Sequence, residues 1–312
     1  MDTQILKYII KTTLLILVVS FIGDKIIFYA LNKISDRVYT GQSIGKLNQY
    51  LTLKDSLDLI VYGSSRANHN IDPTELSNNA YNTGVDGIKL AYSATLIKLL
   101  ASQSQQTILL HIDADYSFDA DYSGQDIRSL KSKYNRNSII KQEIDELNQD
   151  NMLQNYFWSL SYNNSIIGIL KNYVRPNYDY KTYFGYDPIH VTENQKKILE
   201  KIIEKDSDSE SPTCDSTHVM NEVYSNSLDE LKEFCAKNNK KLILFTSPIF
   251  DDKCKDDNNA LKQILEQKGF TYYDYTDFFK DNNSLDFWKD RTHLSDKGAE
   301  FFTQELKTLF VK

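Results

Sequence analysis

The chain is expected to adopt an α/β fold on a mainly parallel sheet, with a helical insertion and an N-terminal transmembrane helix. Three observations lead there. From about residue 57 onward, short apolar runs alternate with helical patterns, the rhythm of parallel strands joined by crossover helices. The runs are almost continuously apolar rather than alternating, as strands covered on both faces require. Finally, Ile5–Gly23 reads ILKYIIKTTLLILVVSFIG, which as a helix spans about 28 Å, close to the hydrocarbon thickness of a bilayer.

The elements follow in order. Lys7 and Lys11 lie near one end of the first apolar run, where long side chains reach the interface. No small-x-small cleavage site follows the run, so it reads as a retained anchor rather than a signal peptide. With the second stretch Ile26–Leu31 the anchor covers 1–31, and a polar juxtamembrane linker covers 32–55. Lys7, Lys11 and the amino terminus balance Lys25, Lys33 and Arg37, so basic residues do not orient the span.

The α/β domain then fills 56–312. Leu57–Tyr62 is its first strand and Ala80–Thr83 its second. A helix from about Ile88 carries Tyr92, Leu96, Leu99 and Leu100 on one stripe. Thr107–Ile112 is the third strand. Later come a helix around Ser227–Asn238, a strand Leu242–Thr246, a helix around Asn258–Gln267 and a strand Phe270–Asp274. Ser295 is the expected N-cap of a last helix carrying Phe302, Leu306, Leu309 and Phe310.

Between about residues 116 and 220 the rhythm breaks into a helix-rich insertion or lid, with apolar patches such as Ile166–Leu170. It becomes loop-like around Arg175–Pro188 and ends in an acidic, serine-rich stretch, Glu204–Pro212, expected to be a solvated loop. Its many tyrosines and Trp158 suit a platform for sugar rings or apolar groups. Most of them are also what a small core of the insertion itself would use.

A net charge of −7 over 312 residues speaks against a nucleic-acid surface, which needs a basic face to neutralise phosphates. Cys214, Cys235 and Cys254 have no metal-ligand spacing, and an odd number leaves at least one thiol free; whether two of them pair stays open. Asp119, Asp121, Ser123 and Gly124 match the opening of a calcium-binding loop. Its twelfth position is Leu130, where a bidentate glutamate is needed. No metal and no cofactor is expected, and nothing in the chain points to an oligomeric state.

Two strings carry the chemistry. Leu59-Ile-Val-Tyr-Gly-Ser-Ser-Arg66 ends a strand abruptly, exposing a serine hydroxyl on the turn; Asp290-Arg-Thr-His293 precedes the last helix. A histidine can take the hydroxyl's proton while a carboxylate holds its tautomer. Taken singly, Gly-Ser-Ser also suits a plain turn, and Asp290 with His293 suits a helix entry. In a parallel sheet, however, both strings fall at the carboxyl ends of the strands, together with Asn82-Thr-Gly-Val-Asp-Gly87 after the second strand and Asp113 and Asp115 after the third.

This order resembles the SGNH (GDSL-like) hydrolase superfamily, and the resemblance covers nearly the whole chain beyond the anchor. It looks most like the membrane-anchored branch found in surface-polysaccharide clusters. Gly63-Ser64-Ser65-Arg66 matches the first block, Asn82–Gly87 the second and Asp290-x-x-His293 the last. The resemblance implies a flavodoxin-like three-layer fold, Ser65 as nucleophile, His293 as general base and Asp290 as its orienter. The oxyanion hole would use the backbone N–H groups of Ser65 and Gly87. The third block departs from the pattern: the family usually has an asparagine donor where this chain has Asp113, and a carboxylate only accepts hydrogen bonds. Asp113 protonated, turned elsewhere, or binding a substrate hydroxyl are three open readings. Arg66, beside the nucleophile, is the candidate for the missing positive charge and for substrate binding.

The implied function is a membrane-anchored serine esterase or O-acyltransferase, with its domain outside the cytoplasm and an acylated carbohydrate or lipid-linked glycan as partner. A catalytically weak glycan-binding or scaffolding module is the alternative, and Asp113 is its best support. His69 is read as an exposed loop residue and His111 as a hydrogen-bonded core residue, while His190 and His218 carry no signal.

Overall fold

The computed structural model describes residues 3–42, 44–207, 214, 218–282 and 284–310. The chain opens with helices α1 (Thr3–Ser35) and α2 (Gly45–Leu53), then strand β1 (Leu59–Tyr62). Helices α3 (Ser65–Asn70) and α4 (Pro73–Leu76) lead to β2 (Ala80–Asn82), and α5 (Leu90–Lys98) leads to β3 (Gln106–His111). Next come α6 (Ala114–Ser117), α7 (Ser138–Glu146), α8 (Met152–Tyr156), α9 (Ile166–Val174), α10 (Glu193–Ser207) and α11 (Glu222–Lys237). The chain closes through β4 (Lys240–Thr246), α12 (Lys255–Gln267), β5 (Tyr272–Asp274) and α13 (Asp296–Lys307).

All five strands are parallel, in the order β2-β1-β3-β4-β5. The fold is therefore α/β on an all-parallel sheet, with one long apolar helix at the N-terminus. β1 is fully buried along its length and pairs with β2 on one side and β3 on the other. The chain thus reverses its direction of winding at β1, the arrangement that opens a crevice at the strands' carboxyl ends.

Contacts divide the chain into two compact units, residues 1–48 with 128–177 and residues 49–127 with 178–312. The helix-rich stretch read as one insertion is shared between them.

The first unit gathers on the C-terminal half of α1. Asp24 accepts hydrogen bonds from the backbone N–H groups of Trp158 (2.8 Å) and Ser159 (2.9 Å). Phe28 packs edge-on to Trp158, with ring centroids 5.5 Å apart. Further along, Arg136 grips Asp36 with two bonds of 2.9 and 2.6 Å. The N-terminal half of α1 is bare: its apolar side chains from Ile5 to Val19 are exposed, and the helix is long and apolar enough to cross a membrane.

In the second unit, side chains of one parity along the strands (Leu59, Val61, Leu109, Ile243 and Phe245) pack with Ala67, Leu76, Phe302 and Leu306 of α3, α4 and α13 and with Ile71 just after α3. Truncating a buried ring such as Phe302 costs about 3–5 kcal/mol. On the opposite parity, the Tyr62 hydroxyl meets that of Tyr50 at 3.1 Å, and Tyr50 also donates to Leu96 O at 2.6 Å. The span 32–55, polar in composition, holds α2, whose Leu47 and Tyr50 are buried; a short helix with a narrow apolar face looks like a linker in sequence. As expected, Ser295 caps α13, its hydroxyl accepting from Gly298 N at 3.1 Å. Leu309 and Phe310 lie beyond that helix's end. Of the acidic stretch Glu204–Pro212, the backbone from Glu204 to Ser207 continues α10, and the remainder lies outside the described residues.

Candidate active site

β1 ends at Tyr62, and the chain must turn at once to start α3. Gly63 makes the turn with φ of 142°, and a Cβ there would lie 2.7 Å from that of His111. Only glycine fits both demands. Ser64 is the N-cap position of α3 and Ser65 its first helical residue. Ser65 stays half-exposed although both neighbours are buried.

The Ser65 hydroxyl lies 2.7 Å from Nε2 of His293, across a sequence separation of 228. His293 Nδ1 lies 2.9 and 3.0 Å from the two carboxylate oxygens of Asp290. With the proton on Nδ1, the ring donates to Asp290 and accepts from Ser65 Oγ–H. Asp290 Oδ1 also accepts the backbone N–H groups of Thr292 and His293, both at 2.9 Å. Burial would raise the Asp290 carboxyl, but the bonds from His293 and these N–H groups outweigh it and hold it far below the usual carboxylate range. The three residues read from the two strings are thus hydrogen-bonded in series.

Asn70 fixes this loop. Fully buried at the end of α3, it accepts from Leu294 N at 2.9 Å and donates to Thr292 O at 3.3 Å. It therefore clamps the backbone on both sides of His293 to the helix that carries Ser65. Asn82 does the same for the loop after β2, donating to Ala67 O (2.7 Å) and Ile71 O (2.8 Å) while accepting from Gly84 N (2.8 Å).

Gly87 follows in that loop with φ of 73° and open space where a side chain would point. Its neighbour Asp86 is held by α3: Asn68 donates to it at 2.9 Å and His69 approaches it at 3.0 Å. His69 also donates from Nδ1 to Asp187 O at 2.6 Å. Both nitrogens thus face oxygen acceptors, an arrangement that the imidazolium satisfies. Burial would lower its pKa, yet Asp86 and the Asp187 carbonyl raise it above the ordinary histidine value. His69 is therefore a half-buried helix residue, not the exposed loop residue the sequence suggests.

Asp113 is buried, and its carboxylate forms an ion pair with the guanidinium of Arg66, itself buried. Of the readings open for Asp113, this geometry fits a side chain turned to Arg66, which compensates both charges away from water. His111, on β3, accepts or donates through Nε2 to Ser247 Oγ at 3.1 Å. Burial, helped by Arg66 and His293, pushes its pKa well below the ordinary value and keeps it neutral. His190 pairs with Asp296 and His218 with Asp257. A cavity of about 440 Å³ opens beside the triad, lined by Arg66, Asp113, Asp115, Phe250, Arg291 and Thr292, a size suited to a small ligand or one sugar unit.

Cys214 and Cys254 form a disulfide, while Cys235 is free and buried. Asp119 of the calcium-loop pattern is taken up by Lys89 at 2.5 Å. Among the described residues, no group of three or more His, Cys, Asp or Glu side chains is placed to hold a metal ion.

Sequence reading places Asn82 in the second block but misses its bonds, and it misses Asn70 and the Asn68/His69/Asp86 cluster. A signal was present: Ser65-Arg-Ala-Asn-His-Asn70 packs polar groups into a helix that must lie on a buried strand, so each needs a partner. Compared with known families and curated proteins, the chain matches no family model and no curated protein.

Proposed function

We propose that the chain is a membrane-anchored, SGNH-like serine esterase or O-acyltransferase acting on acyl esters of a cell-envelope carbohydrate. The observation that carries this reading is the series Ser65–His293–Asp290, with contacts of 2.7 and 2.9 Å. The strand order 2-1-3-4-5 supports a flavodoxin-like, three-layer arrangement, and Ser65 stands at the crevice that such sheets use for ligands.

In this reading, Ser65 Oγ attacks the ester carbonyl and its proton passes to His293 Nε2. Asp290 stabilises the imidazolium so formed. The tetrahedral intermediate collapses, the alcohol leaves with the proton from His293, and an acyl-Ser65 ester remains. Water or a sugar hydroxyl then repeats the sequence in reverse. The N–H groups of Ser65 and Gly87 are the proposed oxyanion donors, a contribution of about 3–4 kcal/mol each. Asp113 is not a donor here; with Arg66 against it, its charge no longer repels a developing oxyanion. Arg66 and the adjoining cavity are the proposed seat of the sugar or acyl group.

The apolar helix α1 supports a membrane anchor, and tethering favours a substrate held near the bilayer. The Cys214–Cys254 disulfide supports an oxidising, extracytoplasmic location for the domain. The test is release of acetate from O-acetylated oligosaccharides, or its transfer to an acceptor sugar. Activity in the wild type that is lost in Ser65→Ala supports the proposal. Folded protein inactive in both assays overturns it and favours a glycan-binding module.

A further inference from the structure

The first unit carries large apolar side chains that stand exposed among the described residues. On α8, Met152 is 85% exposed and Leu153 64%. On α9, Ile167 is 84% exposed and Val174 80%; with Leu170 they fall at i, i+3 and i+7, one stripe of the helix. The opposite side of α9 buries Ile169, and this helix packs on α1. Exposed apolar side chains of this size on two helices that both touch α1 mark an interaction surface.

The position of this surface says what covers it. Tyr156 of α8 packs against Phe21 of α1, with ring centroids 5.1 Å apart. Lys25 donates to Tyr156 O at 2.6 Å and lies over the rings of Phe21 (4.4 Å) and Trp158 (4.1 Å). Asp24, the first acidic residue after the long apolar run, is satisfied by Trp158 and Ser159. These contacts fall where the bare apolar half of α1 ends. Aromatic rings, a lysine with its charge at the edge and an apolar stripe are what a membrane–water interface selects.

We infer that α8 and α9 form an interfacial collar that lies in the outer edge of the lipid leaflet beside α1, so that the chain is seated on the bilayer as well as threaded through it. The inference rests on reading α1 as a membrane span. It adds a second lipid contact, which fixes the depth and tilt of α1 through interfacial anchors.

Spin labels on single introduced cysteines of the full chain in phospholipid vesicles test it. The native cysteines are either disulfide-bonded or buried, so the label reports the new site. Met152→Cys and Ile167→Cys should collide with oxygen more than with a water-soluble nickel chelate, as Leu15→Cys within the span should. Gln142→Cys on α7 should show the reverse. If Leu15→Cys is lipid-exposed but Met152→Cys or Ile167→Cys behaves like Gln142→Cys, the collar is wrong and the span stands. Shielding of Met152→Cys and Ile167→Cys from both reagents would mean a protein partner and would also overturn the inference. A water-exposed Leu15→Cys would remove the span and the collar together.

Discussion

Two histidine–carboxylate pairs meet at α3, and only one leaves a ring nitrogen for chemistry. His293 and His69 stand edge to face with ring centroids 5.9 Å apart. His293 uses Nδ1 on Asp290 and presents Nε2 to Ser65. His69 uses both nitrogens, one on the Asp187 carbonyl and one on Asp86. The first pair can accept a proton; the second, already fully engaged, can only hold a loop. A histidine beside a carboxylate is thus no sign of a base until its second nitrogen is followed.

The largest expected effect separates the two carboxylates. Asp290→Asn should lower kcat about 10³–10⁴-fold by disturbing the tautomer and leaving the imidazolium unsupported. Asp86→Asn should lower it about tenfold or less, since Asp86 acts on the Gly87 loop and touches no reacting atom in the proposed mechanism. Equal losses in the two variants, measured as kcat on an activated ester, would erase the distinction.

A smaller effect tests how the first pair is held. Asn70→Ala leaves the buried Leu294 N–H without its acceptor, a cost of about 1–3 kcal/mol. It should also lower kcat, because the backbone on either side of His293 is released. Denaturant unfolding gives the first number and turnover the second. A variant as stable and as active as the wild type would show that the clamp does not position the loop.

The smallest effect concerns the second pair and pH. His69 has a raised pKa in the folded state. Its ion pair with Asp86 therefore adds stability that is fully present below the unfolded histidine value and fades as pH rises through the folded value. Asp86 is half-exposed, so solvent screening limits the effect to about 1 kcal/mol or less. Unfolding of wild type and His69→Gln should differ most near pH 5–6 and converge toward pH 9. A gap that widens with pH would contradict the assignment.

The legible part of the molecule is what local pattern encodes. β1, β3 and β4 stand out because strands covered on both faces read as unbroken apolar runs. Ser65, Asp290 and His293 stand out because a turn and a three-residue spacing fix their local geometry. Asn70 and Asn82 do not, because a buried amide acquires its partners only when distant loops arrive. α11 starts at Glu222, ahead of the expected Ser227, because its Asn221 cap directly follows the stretch taken as insertion. The Cys214–Cys254 pairing was equally hidden, since a separation of 40 residues follows no local rule. In the first unit, the apolar run of α1 was plain, but the bond from Trp158 to Asp24, 134 positions away, and the grip of Arg136 on Asp36 just past the helix, 100 positions away, had no trace in either segment alone.

The most direct measurement is covalent. A fluorophosphonate probe reacts only with a serine whose proton has somewhere to go, and mass spectrometry of the digested protein locates the adduct. A stoichiometric adduct on Ser65, absent in Ser65→Ala and much slowed in Asp290→Asn, is the expected result. A folded wild-type protein that takes up no probe, or takes it up elsewhere, would mean that the hydrogen-bonded series from Ser65 to Asp290 does not make a nucleophile.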